Sequence, residues 1–191
     1  MATTASAHPL VGVRRRRFTV GDYHRMGEAG ILTEDDRVEL IGGAIVEMSP
    51  IRDPHVRAIN HLTEFLVVRL AGGEVTVSIQ NPIRLSDDTE PQPDLAVLRG
   101  RGRGVADAAD VLLVIEVADT SRRYDRNVKL PLYAAVGIPE AWLVDLVART
   151  IERHTEPRDG RYRQTTIARR GESLASTVLP ALILPVDAVL G

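Results

Sequence analysis

The sequence predicts an α/β (α+β) fold: a mixed central sheet flanked by helices, with an N-terminal hairpin and a C-terminal antiparallel hairpin. Three observations carry this. The runs DLAVL (residues 94–98), VLLVIEV (111–117) and AWLVDL (141–146) are nearly unbroken apolar stretches of strand length. Such runs read as strands covered on both faces. Gly42-Gly43 and Asp159-Gly160 each sit between strand-like segments, which is a hairpin signal. Helical segments bounded by proline and glycine separate the strands.

In chain order, residues 19–30 suit a short helix with Thr19 at its cap and Gly30 at its stop. RVELIGGAIVEM (37–48) forms the first hairpin, with Val38 and Leu40 on one face and Glu39 and Ile41 on the other. Asp53-Pro54 reads as an N-cap and a first-turn proline. The helix it opens runs to about Ala71, with Ile59, Leu62, Leu66 and Leu70 as its apolar stripe, and Gly72-Gly73 ends it. Residues 75–85 alternate as a strand, with a bend or edge at Pro82. Strand 94–98 follows, then a polar Gly-rich loop over 99–110, then strand 111–117. A helix over about 125–136 stops at Gly137, and Pro131 kinks it or confines its regular part. Strand 141–146, the hairpin 150–156/161–168 and an apolar tail from Leu174, packed on the sheet, complete the order. Residues 1–17 read as a mobile basic tail and 18–191 as a single domain.

Composition narrows the function classes. The 191 residues are 44% hydrophobic and 26% charged, normal for a globular domain. There is no cysteine, which excludes disulfides, thiolate metal sites and cysteine nucleophiles and fits a cytoplasmic location. No apolar run approaches a membrane span, and the N-terminus lacks a signal-peptide core. A net charge of −2 is not a bulk nucleic-acid footprint, so such binding must rest on local patches or on a metal. Of the 24 basic residues, 23 are arginine; Lys129 stands alone. Lysine differs from arginine where a compact ammonium is needed.

The chemistry lies in the acids that interrupt apolar strands. Asp94 opens one, directly after Pro93, and Glu116 closes the next. If these strands are antiparallel neighbours, the two carboxylates converge. Like charges that close repel, and one pKa rises unless a cation sits between them. Mg²⁺ takes one or two carboxylates plus waters and substrate phosphates, and Lys129 on the following helix would complete a hydrolytic site.

Pro93-Asp94 followed by Glu116 resembles the PD-(D/E)XK nuclease superfamily, the restriction-endonuclease-like fold. More closely, RVELIGGAIVEMSP, PDLAVL and VIEVADTSRRYDRNVKLPLYAAVGIPEAWLVDL resemble the Uma-two family within it, over about residues 18–170. The resemblance implies a metal-dependent DNA phosphodiesterase fold; the carboxylate pair suits Mg²⁺ as the metal, with Mn²⁺ as a substitute. The resemblance matches Asp94 and Glu116 to the metal-binding pair, implies that the Val117 carbonyl faces the ion, and gives Glu39 as a third acidic ligand. Ala118 stands where the superfamily has its lysine, and the family resemblance moves that lysine to Lys129. The catalytic set is then Asp94, Glu116 and Lys129.

Each residue also has a plainer reading. Glu116 could pair with Arg122 or Arg123, Asp94 could cap a turn, Lys129 could be solvated, and Glu39 could lie on the outer face of the hairpin. Asp125 and Lys129, four apart, read as a structural pair. Gln80 could face the site or be a strand-surface amide. His55 and His61 read as surface or substrate-side residues. Arg99, Arg101 and Arg103 could contact phosphates or be solvated. The reading is a Mg²⁺-dependent endonuclease acting on DNA, a homodimer by analogy with nucleases that cut both strands. The alternatives are a non-catalytic nucleic-acid or protein binding module on the same fold, and a hydrolase of another phosphate substrate.

Overall fold

Six strands build one sheet, in the order β10-β9-β8-β7-β5-β3. The structure is a computed structural model and describes residues 14–100 and 104–191. Ahead of the sheet come α1 (Val20–Glu28) and the hairpin β1 (Val38–Ile41) and β2 (Ala44–Glu47). Then follow α2 (Asp53–Arg69), β3 (Val75–Ile79), β4 (Ile83–Arg84), β5 (Leu95–Arg99), β6 (Ala106–Asp107) and β7 (Val111–Ala118). The second half holds α3 (Arg122–Tyr124), a π turn (Asp125–Lys129), α4 (Leu130–Ala135), β8 (Glu140–Asp145), β9 (Thr150–Arg158) and β10 (Arg161–Arg169). The last elements are β11 (Ser173–Ala175), β12 (Ile183–Pro185) and α5 (Asp187–Leu190). The expected mixed sheet is present: β7 and β8 are parallel, and the other neighbours are antiparallel.

Strand alternation splits the core in two. Leu95, Val97, Leu113, Ile115, Val117 and Trp142 face α2 and the C-terminal segment, which packs there through Leu174, Leu182, Leu184 and Val186. Ala96, Val114 and Ala141 face Leu130, Tyr133 and Ile138 on the other side. Glu116 alternates with Ile115 and Val117 and so turns toward the second face, where Tyr133 lies.

Several boundaries differ from expectation for local reasons. Strand 75–85 is cut at Ile79, because Gln80 adopts a left-handed φ of 50° before Asn81-Pro82. The remainder, β4, pairs in parallel with β6 inside the segment expected as loop. Helix α2 begins at Asp53 itself, and Arg52 occupies the cap position without a side-chain bond. Thr19 caps α1 as expected, in a capping box with Asp22. Residues 1–13 of the proposed tail, and Arg101 and Arg103, lie outside the described residues; Arg14 to Arg17 are exposed.

The helix over 125–136 departs most. Pro131 has no N–H for the carbonyl of Asn127, and its ring opposes that carbonyl. The backbone widens: the Leu130 N–H donates to the Asp125 carbonyl, five residues back. Regular helix resumes only at Leu130. The expected Asp125–Lys129 pair does not form, because Asp125 accepts from Ser121 Oγ at 2.6 Å while Lys129 reaches Glu39 and Glu116.

Gly43 anchors the hairpin. Its φ is +74°, and a Cβ there would meet Arg17 Cβ at 2.6 Å and the Phe18 carbonyl oxygen at 3.1 Å. Gly43→Ala is therefore expected to destabilise the protein by about 1–3 kcal/mol, as read from the urea midpoint, and to loosen the strand that carries Glu39.

Candidate active site

Asp94 and Glu116 come together as the strand logic requires. Leu95 pairs with Ile115 across the antiparallel β5–β7 ladder, so the residue before β5 meets the end of β7. Asp94 accepts from the Val117 N–H at 2.8 Å, and His55 Nε2 lies 3.1 Å from its carboxylate. The bond from Val117 fixes the Asp94 side chain directly to the β7 backbone.

Glu116 is 2% exposed. Tyr133 Oη donates to its Oε1 at 2.5 Å, and Lys129 Nζ lies 3.3 and 3.4 Å from its two oxygens. Lys129 is 4% exposed, donates to the Gln92 carbonyl at 3.2 Å, and stands 3.4 Å from Glu39 Oε2. The single lysine of the chain is thus buried among carboxylates. Glu39 is buried too, not on an outer face. Its Oε2 accepts from the Gln92 N–H at 3.0 Å and its Oε1 from Tyr124 Oη at 2.7 Å. Arg122, a plainer partner for Glu116, instead pairs with buried Asp145 at 2.7 Å.

The electrostatics follow from burial. Desolvation pushes the Glu116 carboxyl up to about 8, with the Asp94 and Asp125 charges adding to it and Lys129 and Tyr133 opposing it. Burial likewise lifts Asp125 to about 6, against its bond from Ser121. Burial would lower Lys129, but Glu116, Glu39, Asp125 and Asp94 together raise it, so it stays an ammonium. Burial and the Glu116 charge raise Tyr133, which keeps its proton to donate.

These residues line a cleft of about 300 Å³. His55, Asp119 and Ser121 line it further, and so do the exposed arginines Arg37 and Arg52. Arg52 bridges to Asp119 at 2.8 Å. Arg99 is at the opposite end of β5 from Asp94.

The donor set fits a hard divalent cation. Four carboxyl groups, on Glu116, Glu39, Asp125 and Asp94, act on the one ammonium of Lys129. Two carboxylates from adjacent strands suit Mg²⁺, which completes its shell with water and phosphate oxygens. Among the described residues no group of three His, Asp or Glu side chains is placed to hold a metal ion.

Three contributors, Tyr133, Tyr124 and Gln92, are not among the sequence candidates. Tyr133 stands four residues after Lys129, a helical spacing that could have flagged it. Tyr124 stands five before it; in an α-helix residues that far apart point about 140° away from each other. The π turn brings Tyr124 and Lys129 together onto Glu39. His55, read as a surface or substrate-side residue, packs against Asp94, whereas His61 is exposed. Gln92 offers its backbone to both Glu39 and Lys129, which no side-chain pattern announces.

Among known proteins, the crystal structure of "a putative nuclease belonging to DUF820" from Anabaena variabilis ATCC 29413 is similar, with a TM-score of 0.73 at 14% identity. The match covers 91% of this chain and 97% of that one, and it shows a shared fold. No curated protein matches the sequence. No helix among the described residues is long and apolar enough to cross a membrane. Residues 20–187 match the model of the Uma2 family, described as "Putative restriction endonuclease", and the chain belongs to that family.

Proposed function

We propose that this chain is a Mg²⁺-dependent endonuclease that hydrolyses DNA phosphodiester bonds, with Mn²⁺ able to replace Mg²⁺. One observation carries the reading. Asp94 and Glu116 converge from adjacent strands in a cleft, with the only lysine buried against Glu116. Asp94 and Glu116 would hold the ion, with the Val117 carbonyl as a further ligand. When bound, the ion supplies Lewis-acid polarisation of the phosphate and a water of lowered pKa.

The chain's own groups do the rest. The Val117 N–H and His55 fix the Asp94 carboxylate, and Tyr133 fixes Glu116. Lys129, held as an ammonium, orients the attacking water and offsets charge that develops on the phosphate. Arg37 and Arg52 at the cleft give flanking phosphates their contacts.

The test is nicking of supercoiled plasmid with Mg²⁺ or Mn²⁺ against a chelator control. Metal-dependent nicking is expected. DNA binding without cleavage in either metal would make the chain a binding module instead. Cleavage only of other phosphate esters would make it a different hydrolase.

Proton linkage gives an independent check. With its carboxyl at about 8, Glu116 holds a proton through neutral pH, and a cation must displace it. Mg²⁺ affinity is expected to rise with pH toward about 8 and level off above it, with about one proton released per ion near about pH 7. Calorimetry in two buffers of different ionisation enthalpy reads that proton.

A further inference from the structure

The family resemblance makes Glu39 a third metal ligand, but its surroundings point elsewhere. We infer that Glu39 is a positioning residue that holds Lys129 against Glu116, and that Tyr124 locks Glu39 for that task. An ionised carboxylate offers about four acceptor positions. Three on Glu39 are taken by protein donors: the Gln92 N–H and Lys129 on Oε2, and Tyr124 on Oε1. At 1% exposure it is buried as deeply as Glu116, at 2%, but it takes three separate donors where Glu116 takes two, Tyr133 and Lys129.

Lys129 lies between two carboxylates at nearly equal distance, 3.3 Å to Glu116 and 3.4 Å to Glu39. A flexible four-carbon stem has many rotamers. Glu39 and Glu116 on either side of the ammonium, with the Gln92 carbonyl as a third partner, select one. The hairpin and the π turn are joined at this point, since Tyr124 and Lys129, from the two ends of that turn, both engage Glu39. Neither the hairpin nor the turn alone fixes the lysine.

The chain has one lysine, so labelling with [¹³C,¹⁵N]lysine gives a single side-chain ammonium signal. In wild type this signal should exchange slowly with solvent, because the ammonium is buried and bonded. In Glu39→Gln, which keeps shape and removes charge, exchange should quicken by at least about tenfold. Mn²⁺ affinity, read by electron paramagnetic resonance, should stay within about threefold of wild type. The kcat for DNA cleavage should fall about a hundredfold with KM little changed. Tyr124→Phe, which cannot remove a metal ligand, should shift the lysine signal and kcat in the same direction by a smaller factor. It also serves if Glu39→Gln does not fold.

Loss of Mn²⁺ binding in Glu39→Gln would make Glu39 a ligand and overturn the inference. So would an unchanged lysine signal in both variants. The kcat arm rests on the nuclease reading. The lysine signal does not, so absence of cleavage in wild type would sink that reading and leave this one to be decided by exchange.

Discussion

Glu116→Ala is expected to lower Mg²⁺-dependent DNA cleavage by about a thousandfold or more, while the protein remains folded. The two halves of this expectation have separate causes. Cleavage is lost because one of two carboxylates able to hold the ion is gone. The fold survives because Glu116 is a costly group to bury: its carboxyl is raised to about 8 by desolvation. Removing it leaves the Tyr133 hydroxyl without its acceptor, at about 1–3 kcal/mol, but it also removes that desolvation. Lys129 keeps Glu39 and the Gln92 carbonyl. The check is a nicking assay beside a thermal melt of the same preparation. Undiminished cleavage would remove Glu116 from the mechanism.

Lys129→Met should damage both stability and activity. It fills much of the volume and deletes the only ammonium between Glu39 and Glu116. Breaking a buried pair from one side costs about 3–5 kcal/mol, because the remaining charge is uncompensated. The sign with pH follows from Glu116. Its folded pKa is raised from 4.5 to about 8, so the folded state holds the extra proton and loses stability as pH rises through that window. Without Lys129 the window extends higher. The share of the penalty that comes from Glu116 should therefore be larger near about pH 8.5 than near about pH 5.5, where Glu116 is neutral. Urea unfolding at both values reads this. Cleavage should fall by about 10²–10⁴. A penalty independent of pH would mean that Glu116 contributes none of it.

Much of the fold was legible because its determinants are local. The apolar strands, both hairpin turns, the Thr19 cap and the stripe of α2 are each written within a few residues. The convergence of Asp94 and Glu116 needed one further assumption, antiparallel pairing of the two strands, which the ladder meets. What could not be read depends on backbone detail and on partners far apart in sequence. The π turn arises from a proline acting on a carbonyl four residues back, and it changes which side chains share a face. Glu39 looked as well placed for solvent as for the site; its burial is decided by Gln92, Tyr124 and Lys129, each at least 53 positions away. The uniqueness of Lys129 gave its importance but not its two-sided clamp.

The proposed chemistry requires that Asp94 and Glu116 hold a divalent cation. The most direct measurement is titration of Mn²⁺ into wild type and Asp94→Asn, followed by electron paramagnetic resonance. One ion bound per wild-type chain, with binding lost in Asp94→Asn, is the expected result. Equal binding by the two proteins, or none by wild type, would contradict it.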